Sequence, residues 1–163
     1  MSILLPQIQS PLRFKFLGLI LIFCLLIPKV EAQKTELVWL TNLEEAQAQA
    51  KKEGKLILLN FSGSDWCSNC KRLHKTLFES PEFDAYASKN LILLNLDFPA
   101  KKKNRLPKEQ REYNDKLAEK YNKKGVFPQV FILDSEGKIV GILEYPQKDA
   151  QTYINTLKTI KVK

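Results

Sequence analysis

The chain has 163 residues, of which 44% are hydrophobic and 27% charged, and its formal net charge is +8 at pH 7. This composition excludes a disordered or fibrous protein, and the length suits one domain with a hydrophobic core. The densest basic patch is Lys101-Lys102-Lys103 with Arg105 and Lys108. Because no aromatic residues alternate with these lysines, as a base-stacking surface requires, we interpret the patch as a solvated loop and expect no nucleic-acid partner.

The N-terminal segment has the features of a secretory signal peptide. Cations precede an apolar run of 12 residues, 16–27. A membrane-spanning helix needs roughly 20 residues, and the small residues before Gln33 suit cleavage by a signal peptidase. We therefore predict a cleaved leader over 1–32 and a mature domain over 33–163, in a periplasmic or secreted location. The alternative is an uncleaved leader that anchors the protein in a membrane.

The predicted domain begins with a short apolar strand over 37–40. A helix follows, because Thr41 and Glu44 have the spacing of a capping box, and it ends before Gly54, a residue that readily adopts the left-handed conformation of helix ends. Residues 56–61 are apolar almost throughout. Such a run is typical of a central strand that is covered on both faces.

Polar turn residues at 62–65 come next, after which apolar and cysteine side chains recur at helical spacing. The segment 67–70 is therefore predicted to open a helix. A second buried strand is predicted at 91–96. A charged insertion over 100–115 and a helix over 116–121 complete this part of the chain.

The C-terminal part predicts two strands, 130–133 and 139–143, joined by the turn-forming residues 134–137 at hairpin length. A closing helix is predicted over 147–160. The sum is β-α-β-α-β-α-β-β-α, which indicates an α/β fold with a central mixed sheet flanked by helices on both faces.

The segment "DWCSNCK", residues 65–71, holds the two cysteines of the predicted mature domain. Cysteines three residues apart at a helix start lie on one face, and the first lies at the positive end of the helix dipole, which favours the thiolate. We therefore predict that Cys67 is an exposed nucleophile and that Cys70, more covered, is the resolving thiol. Trp66 is expected to pack beside the pair.

Other roles for the cysteines are less consistent with the sequence. A closed zinc site usually takes four ligands, but the mature domain offers only Cys67, Cys70 and His74, so we expect no metal. A purely structural disulfide that closes so small a loop adds little stability. His74 lies on the same helical face as Cys70 and is a candidate for proton transfer. We favour the alternative, a half-buried structural histidine.

The pieces "LILLNFSGSDWCSNCK" and "YNKKGVFPQVFILDSEGKIVG" resemble the thioredoxin-like proteins in order and spacing, and the similarity extends over 37–160. The resemblance implies a thioredoxin-like fold and a thiol:disulfide oxidoreductase that acts on protein disulfides without a bound cofactor. It implies that Phe127-Pro128 is a cis peptide at the substrate-binding groove, next to Trp66. It also implies a redox partner, for which a membrane reductase is a candidate, and we expect a monomer.

Two positions depart from the thioredoxin pattern. Asn60 stands where a buried Asp is often found, and Leu93 stands where a Lys is often found on the next strand. An amide cannot accept the proton of the resolving thiol as a carboxylate does. The residues between the cysteines, Ser68-Asn69, leave the redox direction open, and we favour a reductase or isomerase. The alternative is a non-catalytic thioredoxin-fold module that binds polypeptide or metal.

Overall fold

The computed structural model describes residues 37–161. The predicted leader over 1–32 and the cleavage site before Gln33 lie outside the described residues. Within residues 37–161, every helix is too short or too polar to cross a membrane.

A single five-stranded mixed sheet organises the fold. Its strands are β1 (Trp39–Leu40), β2 (Leu56–Ser62), β3 (Leu91–Asp97), β4 (Gln129–Leu133) and β5 (Ile139–Leu143). They stand in the order β1-β3-β2-β4-β5. The first three strands in this order run parallel, while β4 is antiparallel to β2 and β5 to β4. The predicted mixed sheet, with β2 at its centre and a hairpin at its end, is therefore confirmed.

Helices connect the strands and cover both faces of the sheet. The α-helices are α1 (Leu43–Glu53), α2 (Ser68–Leu73), α3 (Pro81–Asn90), α4 (Lys108–Tyr121) and α5 (Ala150–Thr159). A π-helical segment, His74–Phe78, directly follows α2, and a short 3-10 helix, Lys102–Asn104, precedes α4.

The connection between β2 and β3 contains two α-helices, whereas we predicted one. The Ser80 side chain accepts a hydrogen bond from the Phe83 amide, and Pro81 occupies the first turn of α3. Both features are helix-start signals, because serine satisfies a free amide and proline has none to satisfy. The element order is therefore β-α-β-α-α-β-α-β-β-α.

Two predicted helix starts are also wrong. Asn42, not Thr41, caps α1, since its side-chain oxygen accepts the Glu45 amide at 2.7 Å. Asparagine is an equally good N-cap. Helix α4 begins at Lys108 rather than at 116. The first turns of α4 present mostly charged side chains to solvent. The sequence of these turns therefore lacks the apolar periodicity that predicts a helix.

The core lies on both faces of the sheet, as alternate residues of the buried strands require. Leu58 of β2 packs with side chains of α3 and α5, while Ile57 and Leu59 pack with those of α1 and α4. The apolar run of β2 is therefore covered on both sides, as predicted. It provides a rigid support for the turn that follows it.

Tyr113 joins the two helices on one face of the sheet. Its hydroxyl on α4 accepts a hydrogen bond from the Leu43 amide at 2.6 Å and donates to the Glu44 carboxylate at 2.5 Å, both at the start of α1. Burial, with the neighbouring carboxylate, raises the pKa of Tyr113 to about 12.

Candidate active site

The two cysteines lie at the junction between β2 and α2. The Cys67 amide donates to the Gly63 carbonyl at 2.9 Å and closes the turn over residues 63–67, which we call the cysteine turn. Cys67 is the N-cap of α2, and its Sγ accepts a hydrogen bond from the Cys70 amide at 3.0 Å. The two sulfurs form a disulfide, with Cα atoms 5.3 Å apart. A sulfur in this position receives a free helix amide, which favours its thiolate after reduction.

The expected difference in exposure between the cysteines is wrong for the disulfide form. Cys67 is 6% exposed and Cys70 is 5% exposed. The N-cap geometry directs the Cys67 sulfur toward the helix amide instead of toward solvent. Trp66, which is 49% exposed, forms the surface beside it.

An aromatic cluster (Trp66, Phe98 and Phe127) stands next to the pair. The ring centroids of Trp66 and Phe127 are 5.4 Å apart, as are those of Phe98 and Phe127. The indole Nε1 of Trp66 donates to the Phe98 carbonyl at 2.7 Å, which fixes the orientation of the ring. The cluster presents an apolar surface whose most exposed member is Trp66.

The segment before β4 approaches the same edge of the sheet. The Phe127–Pro128 peptide bond is cis, and Pro128 is buried. In the antiparallel register, Phe61 lies opposite Gln129. Because Phe61 and Gln129 are close to the ends of their strands, Pro128 lies near the end of β2, from which the cysteine turn departs.

A polar pair lies beneath the cysteines, inside the sheet. Asn60 is 6% exposed, and its Nδ2 donates to the Asn95 Oδ1 at 2.8 Å. The Asn60 Oδ1 is buried without a hydrogen-bond partner in the described part of the chain. In the parallel register Asn60 lies beside Asn95, and Leu93 lies beside Leu58. Asn95, and not Leu93, is therefore the residue of β3 that lies next to Asn60.

A pocket of about 280 Å³ connects this polar pair with the resolving cysteine. We call it the Asn60 pocket. Water occupies about 30 Å³ per molecule in the liquid, so the pocket can hold several molecules. The pocket is lined by Trp39, Asn60, Ser62, Ser64, Cys70, His74, Phe78, Asn95 and Asp97.

His74 is exposed, so the half-buried interpretation is wrong. Its side chain is 59% exposed, and Nδ1 lies 3.1 Å from the Glu79 Oε1. The helix changes from α to π at His74. The wider turn keeps Leu77 and Phe78 buried while His74 faces solvent at the mouth of the Asn60 pocket. No three His, Cys, Asp or Glu side chains within residues 37–161 are grouped as metal ligands.

Sequence reasoning missed Asn95, Phe98 and Asp97 as parts of this region. A signal for Asn95 was present, because the string LILLN occurs at 56–60 and again at 91–95. Two parallel strands with the same string place their asparagines side by side when they pair in register. Asp97 is the last residue of β3 and Phe98 follows it, and no local motif distinguishes either residue.

A sheet of this topology, with a C-x-x-C disulfide where a helix follows the central strand, defines the thioredoxin-fold thiol:disulfide oxidoreductases. The family model described as thioredoxin-like matches residues 38–135. The chain therefore belongs to the thioredoxin-like family.

Curated relatives and solved structures agree with this assignment. The disulfide bond reductase DsbH of Chlamydia pneumoniae is 33% identical over 132 residues, which cover 78% of each chain. The thioredoxin-related protein DsbJ of the same organism is 30% identical over 82 residues, covering 48% of this chain and 24% of DsbJ. The solved structure of a DsbH oxidoreductase is 33% identical, with a TM-score of 0.70 over 77% of this chain and 84% of that chain. With the linked Cys67–Cys70 pair, these similarities show that the protein is a protein-disulfide oxidoreductase.

Proposed function

We propose that this protein is a disulfide reductase of an extracytoplasmic compartment, in which Cys67 attacks substrate disulfides and Cys70 resolves the intermediate. The observation that carries the proposal is the hydrogen bond from the Cys70 amide to the Cys67 Sγ at 3.0 Å, at the start of α2. An amide that donates to a sulfur at a helix N-terminus favours the thiolate over the thiol once the disulfide is reduced. The similarity to a relative named disulfide bond reductase supports the reductive direction.

The chemistry proceeds by two thiol–disulfide exchanges. The Cys67 thiolate attacks one sulfur of the substrate disulfide, forming a mixed disulfide and releasing the other sulfur as a thiolate. Deprotonated Cys70 then attacks Cys67, which releases the second substrate thiolate and closes the Cys67–Cys70 disulfide. The substrate gains two electrons, and the enzyme must recover them from a redox partner. A membrane reductase remains our candidate for that partner.

The aromatic cluster and Pro128 are proposed to bind the substrate polypeptide around its disulfide. Trp66 is nearly half exposed, and Phe127 lies against it with ring centroids 5.4 Å apart. Partly exposed aromatic rings contribute strongly to protein recognition, because they bury a large area at little cost in conformational entropy. The backbone of Phe127, directly before Pro128, is proposed to pair with an extended substrate strand next to Cys67.

His74 is proposed to assist proton transfer at Cys70, since both residues line the Asn60 pocket. An imidazole exchanges protons near neutral pH. The substitution His74→Gln is expected to slow the resolving step and to alter its pH profile. An unchanged rate and profile would leave His74 without this role.

The extracytoplasmic location rests on the leader predicted over 1–32. Expression of the full chain in a bacterium that exports it, followed by mass measurement of the product, tests this point. We expect a mature N-terminus at Gln33. A full-length product in the membrane fraction would instead support the anchored alternative.

A trapping experiment with the isolated protein tests the mechanism. Reduced Cys70→Ala is expected to accumulate a mixed disulfide with a peptide that contains one disulfide, as measured by mass spectrometry. Cys67→Ala, the matched control, is expected to accumulate none. If both variants trap equally, the assignment of the nucleophile is wrong. If neither traps and neither wild type nor variant reduces the peptide, the non-catalytic alternative is correct.

The redox direction has its own measurement. Equilibration with glutathione buffers of known poise gives the reduction potential of the pair. A reductase is expected near the thioredoxin value of about −270 mV, whereas an oxidant such as DsbA lies near about −120 mV. A value close to the latter would contradict the reductive assignment.

A further inference from the structure

The segment between β3 and α4 holds the chain's densest run of positive charge, and the proposed mechanism does not use it. We call residues 98–107 the lysine loop. Lys101, Lys102, Lys103 and Arg105 are all exposed. Exposed lysines on a loop are usually only solvated, so their number alone indicates no partner. Their position relative to the cysteines is more informative.

The carboxylate of Asp65 fixes the lysine loop against the active site. Its two oxygens accept hydrogen bonds from the amides of Ala100 at 2.9 Å and Lys101 at 3.0 Å, and from the Asn104 side chain at 2.9 Å. These hydrogen bonds lower the pKa of the Asp65 carboxyl, and the bond from the Ala100 amide has the largest effect. Asp65 is two residues before Cys67, so the loop backbone is tied directly to the cysteine turn.

Neighbouring contacts reinforce this attachment. The Trp66 indole donates to the Phe98 carbonyl at 2.7 Å. The Ser64 amide and hydroxyl donate to the Asp97 carboxylate at 2.8 and 2.6 Å. Ser64, Asp65 and Trp66 of the cysteine turn therefore each form a hydrogen bond with a residue at or near the start of the lysine loop. These bonds place the cations of the loop beside the aromatic cluster.

The exposed charges around the cysteine turn are predominantly positive. Among residues 37–161, the ion pairs are Lys55 with Glu53, His74 with Glu79, and Lys108 with Glu112, so no cation of the loop is paired. The nearby Asp65 and Asp97 carboxylates already accept backbone amides. The active-site helix adds two further exposed cations, Lys71 and Arg72.

We propose that the lysine loop binds an acidic segment that flanks the disulfide of a protein substrate, and so selects acidic substrates for the cysteine pair. This inference rests on the proposed reductase function. A polypeptide is the occupant because the surface continues into the aromatic cluster and ends at a sulfur that reacts with protein disulfides. The Trp66 indole is bonded to the Phe98 carbonyl, and Lys102 follows Phe98 by four residues, which span at most about 14 Å, so a few residues of an acidic chain that contacts Trp66 suffice to reach the lysines. Complementary charge at such a rim accelerates encounter.

The test compares two peptides that contain the same disulfide and differ only in flanking residues, glutamate in one and lysine in the other. For the wild type, kcat/KM at low ionic strength, about 0.01 M, is expected to be about tenfold higher for the acidic peptide. The preference is expected to vanish near 1 M salt, where the Debye length falls from about 30 Å to about 3 Å.

A matched pair of double variants shows whether the preference for the acidic peptide depends on the lysine loop. Lys102→Glu/Lys103→Glu is expected to abolish or invert the preference. Lys51→Glu/Lys52→Glu, at the exposed end of α1, is expected to retain it. That end of α1 leads into the start of β2, whereas the cysteines follow the end of this strand, which spans roughly 20 Å at about 3.3 Å per residue.

A third variant tests whether the preference depends on the position of the lysine loop and not only on the number of its positive charges. Asp65→Ala keeps every lysine but removes the acceptor of three hydrogen bonds. Amide hydrogen exchange at Ala100 and Lys101 is expected to accelerate, and the preference for the acidic peptide is expected to fall. Retention of the full preference with a released loop would overturn the proposed positioning.

The outcomes distinguish this inference from the proposed function. A small uncharged disulfide serves as the common reference, and every lysine variant is expected to reduce it at the wild-type rate. If the wild type reduces all three disulfides without a charge preference, only the docking inference fails. If it reduces none, the reductase function fails. If the loop variant instead loses only binding to anionic vesicles or to nucleic acid, the acidic-polypeptide assignment is wrong.

Discussion

The substitution Asn60→Asp tests how the buried polar pair controls the resolving cysteine. The new carboxyl has the size of the amide it replaces, so packing changes little. The site is 6% exposed and shares a pocket with Cys70. Burial disfavours the charged form and raises the pKa of a carboxyl, by up to about 3–5 units in fully buried sites.

The expected magnitude follows from the surroundings of Asn60. The pocket of about 280 Å³ admits water, and the Asn95 amide can rotate to donate, so we expect a rise of about two units and a loss of about 3 kcal/mol. Because the folded-state pKa is raised, the loss is present above the folded-state value and disappears below the unfolded-state value of about 3.9. At low pH the neutral carboxyl donates to the Asn95 oxygen and replaces the original hydrogen bond.

Urea unfolding of the oxidised proteins at about pH 4 and about pH 7.5 measures this effect. The difference between wild type and variant is expected to be small at the lower pH and near 3 kcal/mol at the higher one. Asn114→Asp is the matched control, since Asn114 is 2% exposed on α4 and does not line the pocket. The Asn114 Nδ2 donates to the Asp97 carbonyl at 2.9 Å, which an ionised carboxyl cannot do, so this variant is also expected to lose more stability at the higher pH than at the lower one.

Only the variant at position 60 is expected to alter catalysis. Its carboxylate accepts the Cys70 proton as that thiol attacks the mixed disulfide, so the resolving step should accelerate above the carboxyl's own pKa. Single-turnover kinetics across the pH range measure this step. The reasoning is refuted if Asn60→Asp and Asn114→Asp give the same kinetic pH profile as wild type. A pH-independent loss of stability would also refute it.

Two further predictions concern single contacts, one beside the cysteines and one between α1 and α4. In Gly63→Ala the new Cβ would lie 2.3 Å from the Trp66 ring and would displace it. Because the displaced indole loses its hydrogen bond to the Phe98 carbonyl, kcat/KM on a peptide disulfide should fall about tenfold. Tryptophan fluorescence measures the movement of the ring. Tyr113→Phe should destabilise the fold by about 1–2 kcal/mol in urea unfolding, and Tyr86→Phe, where burial alone raises the phenol pKa, should cost less. Because the pKa of Tyr113 is raised to about 12, the gap between wild type and Tyr113→Phe should be constant up to about pH 10 and narrow as the pH approaches 12.

The sheet was predictable because its strands consist of apolar runs with few polar residues. Residues 56–61 and 91–96 read as buried strands, and both β2 and β3 include these ranges. The hairpin turn was equally clear, and Gly137 adopts a positive φ of 79° there. Strand pairing needs only these local patterns together with the preference of βαβ units for parallel neighbours.

The helices were harder to predict where their exposed faces dominate. The start of α4 is almost wholly charged, so the apolar spacing appears only in its last two turns. Helix α3 was missed although Ser80 and Pro81 mark its beginning. In both regions, tertiary packing of a few buried residues stabilises a helix whose periodicity is too weak to detect.

Within the site, local sequence identified the cysteine pair, but long-range contacts determine its surroundings. The spacing of Cys67 and Cys70 is itself the signal. By contrast, Asp65 reaches residues 35 to 39 positions away along the chain. Such contacts depend on where a loop returns after a strand and a helix, and no short motif encodes that return.

The positions of the carboxylates around Cys70 determine in which direction its proton can leave. Beneath the thiol, the strand positions hold the neutral pair Asn60 and Asn95. The carboxylates nearest to it stand at the rim, where Asp97 accepts two hydrogen bonds from Ser64. A proton that leaves Cys70 therefore moves outward through the pocket and not into the sheet. The pH profile of the wild-type resolving step should therefore change in His74→Gln, and it should show a buried carboxyl only when position 60 supplies one.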